Sequence, residues 1–91
     1  MIRMVEKQYK VIDETGIHAR SAAILVKAAA KFNSDLQLQY NEKKANLKSI
    51  MGLMSLGVVQ GAEIKIIATG DDEQEALQGM DEIFTKESLA V

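Results

Sequence analysis

Leu36, Leu38 and Tyr40 alternate with Gln37 and Gln39, and this alternation constrains the fold more than any other stretch of the chain. A strand with one apolar and one polar face buries only one side, so its sheet must be covered on one face and wet on the other. Ile64, Ile66 and Ala68 repeat the pattern against Lys65 and Ile67. Tyr9 and Val11 do the same between Gln8 and Lys10, in a run from about Val5 to Ile12. Lys43 to Asn46 predicts a short strand paired with the Leu36 strand through an Asn41-Glu42 turn.

The other apolar residues recur at helical spacing. Ala22, Leu25, Val26, Ala29 and Phe32 predict a helix from about Ala19 to Lys31, and Asn33-Ser34-Asp35 stops it. Ser49 opens a short helix that runs to about Leu56, with Gly57 as its C-terminal cap. Ala76, Leu77, Met80, Ile83 and Phe84 form the stripe of a last helix begun by Gly70-Asp71-Asp72. Asp71, Asp72, Glu73 and Glu75 crowd its first turn, where the dipole favours negative charge. No proline is present, so glycine, asparagine and aspartate punctuate the chain. The order β-α-β-β-α-β-α over 91 residues predicts a single α/β domain, 1–91, of the α+β kind. It is an open-faced β-sandwich: a four-stranded antiparallel sheet with three helices on one face.

Composition removes several functions. With no cysteine, a disulfide scaffold, a thiolate zinc site and a cysteine nucleophile are all excluded. A formal net charge of −2 and an aromatic content of 4% argue against a broadly basic, ring-stacking nucleic-acid binder. No stretch approaches the ~20 apolar residues of a membrane span, and Met1-Ile2-Arg3-Met4 does not open a signal peptide. The expectation is a cytoplasmic domain with neither membrane insertion nor direct nucleic-acid binding. Charge is nonetheless uneven. From Asp71 onward seven acidic residues stand against Lys86, whereas the preceding residues carry ten basic and six acidic side chains. That leaves the early part free to face an anion or an acidic partner, although a solvated acidic helix explains the same pattern.

The lone histidine falls in Gly16-Ile17-His18-Ala19-Arg20-Ser21, between a strand and a helix. Most single histidines are surface or capping residues, but the position changes the weighing. At a helix start, His18 faces the backbone N–H groups of Ala19, Arg20 and Ser21, which lack intrahelical partners. Those donors and the positive dipole end suit an anion and favour a neutral, nucleophilic ring. Arg20 adds a guanidinium matched to phosphate oxygens, and Gly16 lets the backbone turn tightly.

A second segment, Asn46-Leu47-Lys48-Ser49-Ile50-Met51-Gly52-Leu53-Met54-Ser55-Leu56, holds more apolar residues than a short helix can bury. Ser49 as a cap and Leu47, Leu53 and Leu56 as core account for part of it. Ile50, Met51 and Met54 remain, and flexible methionines suit an exposed patch that docks several partners.

Together these two motifs resemble HPr, the histidine-containing phosphocarrier of the bacterial phosphoenolpyruvate-dependent sugar phosphotransferase system, in its low-GC Gram-positive form. The resemblance spans nearly the whole chain and implies the sheet order 1-4-2-3. It implies that His18 takes a phosphoryl group on Nδ1 from phosphorylated enzyme I and passes it to sugar-specific IIA domains, with Arg20 steadying the group. It further implies that Ser49 is phosphorylated by HPr kinase/phosphorylase, and that the seryl-phosphorylated form is a corepressor of catabolite control protein A. Ile50, Met51 and Met54 would match the docking patch. A monomer with no cofactor and no metal is the family expectation.

One position departs from the family, which has proline where this chain has Ser21. Proline in the first turn presets φ and lacks an N–H, so serine is expected to relax the turn while adding a backbone donor and a hydroxyl. The alternative reading is a regulatory module acting mainly through Ser49, like the catabolite-repression paralogue that lacks the active histidine; His18 and Arg20 argue against it, and Ser21 argues for it. A self-contained enzyme is the weakest reading, since the chain has no nucleotide-binding glycine loop, metal cluster or second catalytic base for His18.

Overall fold

The computed structural model describes residues 4–91, so Met1, Ile2 and Arg3 of the opening stretch lie outside the described residues. The elements are β1 (Val5–Lys10), α1 (Ala19–Ala29), β2 (Asp35–Tyr40), β3 (Lys43–Asn46), α2 (Ile50–Ser55), β4 (Glu63–Thr69) and α3 (Glu73–Lys86). Every pairing is antiparallel and the sheet order is β1-β4-β2-β3, as expected. Among the described residues no helix is long and apolar enough to cross a membrane.

Register explains the one-sided core. Tyr9 pairs with Ile64, and Leu38 and Leu36 pair with Ile66 and Ala68. All are buried, against Ala22, Leu25 and Ala29 of α1 and Ala76, Met80 and Phe84 of α3. Each large side chain so buried is worth about 1.5–3 kcal/mol. The Tyr9 and Phe84 ring centroids lie 4.8 Å apart. The Tyr9 hydroxyl donates to Asp81 at 2.8 Å, so the one polar atom on this ring is satisfied. On the open face, Glu6, Ile67, Gln37 and Asn46 form one cross-strand row, and Gln8, Lys65, Gln39 and Lys44 form the next. Ile67 is the exception to the alternation: it is buried on the open side, flanked by long polar neighbours in a central strand.

Several boundaries differ from expectation. β1 ends at Lys10 rather than Ile12, because Val11 forms an isolated bridge with Ala90 as the C-terminal residues take over the edge. Lys10 exchanges backbone bonds with Val91 at 2.7 and 2.9 Å. α1 ends at Ala29, and the N–H groups of Lys31 and Phe32 bond back three residues in a tightened last turn. The Lys48 ammonium closes that end by donating to the Phe32 carbonyl at 2.8 Å.

α3 begins at Glu73, and Asp72 does not cap it with its side chain. Instead the Asp72 carboxylate accepts from the Asn33 and Ser34 N–H groups, at 2.9 and 2.8 Å, and from the Ser34 hydroxyl. It thereby clasps the α1–β2 turn to the start of α3. Glu73, buried, accepts the Gly70 N–H at 3.1 Å.

Candidate functional site

The loop that presents His18 is fixed from several sides. Gly16 has φ +67°, and a Cβ there would stand 2.2 Å from the Val58 carbonyl oxygen. Only glycine fits such a position. The Gly16 N–H donates to the Asp13 carbonyl at 3.0 Å, and the Ile17 N–H donates to the Val58 carbonyl at 3.1 Å. The histidine loop is therefore pinned to the chain that leaves α2. The Asp13 carboxylate accepts the Thr15 N–H and hydroxyl at 2.9 and 2.7 Å, forming the aspartate turn that precedes the glycine.

His18 is the N-cap of α1, with extended backbone at φ −129° and ψ −168°. Its Nδ1 accepts the Arg20 N–H at 3.3 Å. A nitrogen that accepts must keep its lone pair, so the neutral ring carries its proton on Nε2. Of the three expected backbone donors, Arg20 is thus occupied by the histidine ring itself. Acidic residues are absent from the first turn of α1, so the positive end of the helix has no countercharge of its own.

The hydroxyl that Ser21 adds in place of proline is engaged. Ser21 is buried, and its Oγ accepts the His18 N–H at 3.0 Å. Its hydroxyl lies 3.3 Å from the His18 carbonyl and 3.4 Å from that of Gly16. His18 and Ser21 form a reciprocal cap that holds the histidine backbone from two directions.

Two residues overlooked in the sequence join the site. A shallow depression beside the ring is lined by Asp13, His18, Arg20, Ser21, Ile24, Glu87 and Leu89. The bonds from Thr15 hold the Asp13 carboxyl below the usual carboxylate range; burial opposes this, and the Arg20 guanidinium adds to it. Asp13 read as turn chemistry alone, and Glu87 carried no signal, because only the return of the C-terminal segment to β1 brings it here. A groove on the open sheet face, beside Gln8, Gln39 and Lys65, includes none of these residues.

Ser49 caps α2, its Oγ accepting the Gly52 N–H at 3.0 Å. Leu47, Leu53 and Leu56 are buried, while Ile50, Met51 and Met54 are exposed to 40, 78 and 43%. A helix of six residues turns only one apolar edge inward, here Leu53, which leaves the others in solvent. Val59, 59% exposed and adjoining the Val58 carbonyl that holds Ile17, adds to the exposed apolar residues at this end. It was missed because it lies past the helix. α1 packs against α2, so the histidine loop and the apolar patch occupy neighbouring parts of the surface. Among the described residues no three acidic or histidine side chains cluster as a metal site.

An open-faced sandwich with a histidine-capped helix and a serine-capped helix side by side is the architecture of the phosphotransferase-system phosphocarriers. Residues 5–86 match the family described as the PTS HPr component phosphorylation site, and the chain belongs to the HPr family. Among solved structures, it is similar to the histidine-containing phosphocarrier protein of Mycoplasma, with 38% identity over 93% of this chain and 97% of that one and a TM-score of 0.91. Bacillus anthracis HPr shares 39% identity over 88% of this chain and 95% of that one, with a TM-score of 0.81. Bacillus subtilis Crh, a catabolite-repression protein described as a swapped dimer, shares 49% over 80% of this chain and 84% of that one, with a TM-score of 0.73.

Proposed function

We propose that this chain carries phosphoryl groups on Nδ1 of His18, accepting them from phosphorylated enzyme I and delivering them to sugar-specific IIA domains in the cytoplasm. One observation carries the reading: the Nδ1 lone pair faces the uncompensated N-terminus of α1 and is held there by the Arg20 N–H. In the forward step that lone pair attacks the phosphorus. The donor's N–P bond breaks, its electron pair returns to the donor ring, and an Nδ1–P bond forms. The Arg20 N–H, no longer accepted by a lone pair, is then placed to bond a phosphoryl oxygen, with the Ala19 and Ser21 N–H groups beside it. The Arg20 guanidinium, exposed at the same helix start, supplies charge-assisted bonds to the transferred group. The protein is a carrier that is charged and discharged, not a turnover enzyme, and this role needs neither cofactor nor metal.

Ile50, Met51 and Met54 form the surface on which enzyme I and the IIA domains dock, next to the histidine loop. Ser49 is the regulatory site, modified by HPr kinase/phosphorylase, and its phosphorylated form engages catabolite control protein A. The unit in this reading is a monomer.

Incubation with phosphoenolpyruvate and enzyme I should yield acid-labile, base-stable phosphate on the protein, and none on a folded His18→Ala variant. Uptake by that variant would reject the assignment. The 49% identity to Crh favours a second reading, a regulatory module acting mainly through Ser49. It predicts no acid-labile phosphate in the same assay, with seryl phosphorylation retained.

A further inference from the structure

The carboxylate best placed to influence an anion at His18 belongs to neither the helix nor the histidine motif. We propose that Asp13 is a positioning residue of the phosphoryl site: fixed by Thr15 at the depression shared with His18 and Arg20, its negative charge weakens the hold on any anion there and keeps a phosphoryl group on His18 easy to discharge. Three observations converge. Asp13 lines the same depression as His18 and Arg20. Both of its hydrogen bonds come from Thr15, two residues on, so its orientation is a property of the turn and not of a mobile ion pair. Beyond the two Thr15 bonds, the Arg20 charge also lowers its carboxyl, which places the two within electrostatic reach.

The first turn of α1 contains no acid, and among the described residues the acids that line this depression are Asp13 and Glu87, which lies beyond α3. Of the two, only Asp13 is tethered by side-chain hydrogen bonds among the described residues. In the empty site its charge partly balances Arg20. Once a dianionic phosphoryl group arrives, the same carboxylate is a like charge that cannot swing away. The phosphorylated state is raised relative to the free one, and transfer onward is favoured.

The inference about discharge rests on His18 carrying the phosphoryl group; the inference about anion affinity does not. Asp13→Asn removes the charge and keeps an oxygen that accepts both Thr15 bonds. Inorganic phosphate, titrated while the amide resonances of Ala19, Arg20 and Ser21 are followed, should bind this variant roughly threefold to tenfold more tightly than the unaltered protein. Phosphohistidine lifetime should lengthen in the same direction. In that hydrolysis water attacks phosphorus, the Nδ1–P bond breaks with its electron pair returning to the ring, and inorganic phosphate leaves. Asp13→Ser, which retains a short acceptor in the turn, should reproduce both gains. Unchanged phosphate affinity in both variants would overturn the proposal. So would an equal gain in Glu14→Gln, because the effect would then follow net charge and not position. If enzyme I charges neither protein while Asp13→Asn still tightens phosphate binding, the role of Asp13 stands and the carrier reading fails.

Discussion

The Ser21 hydroxyl oxygen lies 3.0 Å from the His18 backbone nitrogen and accepts its N–H, while the His18 ring accepts the N–H of Arg20 one turn position earlier. The residue that departs from the family is therefore part of the device that orients the histidine. A cap of this kind is worth about 0.5–2 kcal/mol. Ser21→Ala should lower unfolding stability by about that amount, read as a fall in the urea midpoint at constant slope. Ser21→Pro also removes the acceptor but restores a preset φ, so its loss should be smaller than that of alanine. Stability unchanged in Ser21→Ala would show that the hydroxyl contributes nothing to the turn.

Two glycines should respond very differently to alanine. At Gly16 the backbone has φ +67° and the new Cβ would meet the Val58 carbonyl at 2.2 Å, so strain and collision add. Gly16→Ala should cost about 2 kcal/mol or more and disturb the His18 amide resonance. At Gly79, inside α3, the new Cβ would meet the tip of the Phe32 ring at 2.4 Å. That ring is only partly buried and can move, and alanine gains about 1 kcal/mol of helix propensity. Thermal unfolding of the two variants should therefore separate clearly, with Gly79→Ala much the milder.

How much was legible in the sequence follows from which interactions are local. The alternation of Leu36, Leu38 and Tyr40, the stripe from Ala76 to Phe84 and the Ser49 cap are each encoded within a few residues, and each is found in the fold. His18 at a helix start, with Arg20 beside it, was legible for the same reason. The role of Asp72 was not, because its partners Asn33 and Ser34 lie across the sheet connection and no local rule links them. Glu87 reaches the histidine depression only because Leu89 to Val91 fold back along β1. That Ser21 adds a hydroxyl was legible, but its partner was not, because accepting the His18 N–H depends on the extended backbone of that N-cap. The burial of Ile67 likewise depends on its central strand and on the length of neighbouring polar side chains.

The Asp72 clasp should make stability depend on acid. The Ser34 hydroxyl and the Asn33 N–H, ahead of the Ser34 N–H, hold its carboxyl below the ordinary value of 3.8. A carboxyl depressed in the folded state binds fewer protons than in the unfolded chain. Its stabilisation is therefore fully present above about pH 4 and is lost as pH falls through the lower folded value. Asp72→Ala should lower the melting temperature at neutral pH, and the gap from the unaltered protein should narrow toward pH 2. A gap of equal size at both pH values would mean that the clasp is not electrostatic.

Phosphorylation at Ser49 should act through charge and not by refolding α2. The hydroxyl already accepts the Gly52 N–H at 3.0 Å, and a phosphate ester keeps an acceptor at the same helix end. It adds roughly −1.5 to −2 charges at pH 7, which the first-turn N–H groups and the dipole favour. α2 should thus be kept or slightly strengthened. The same charge stands directly beside Ile50, followed by Met51 and Met54, which are exposed and must be desolvated by a partner. An anion at the rim of that contact carries its own desolvation cost and repels acids opposite, and about 1.4 kcal/mol is already tenfold in affinity. Phosphorylation, and less completely Ser49→Asp, should therefore slow charging of His18 by enzyme I while favouring a partner that offers basic residues. Amide hydrogen exchange across Ser49 to Leu56, measured together with the charging rate, separates the mechanisms. Slower charging with equal or greater protection is the expected pair. Lost protection would reveal a folding switch, and an unchanged rate would remove Ser49 from control of the carrier.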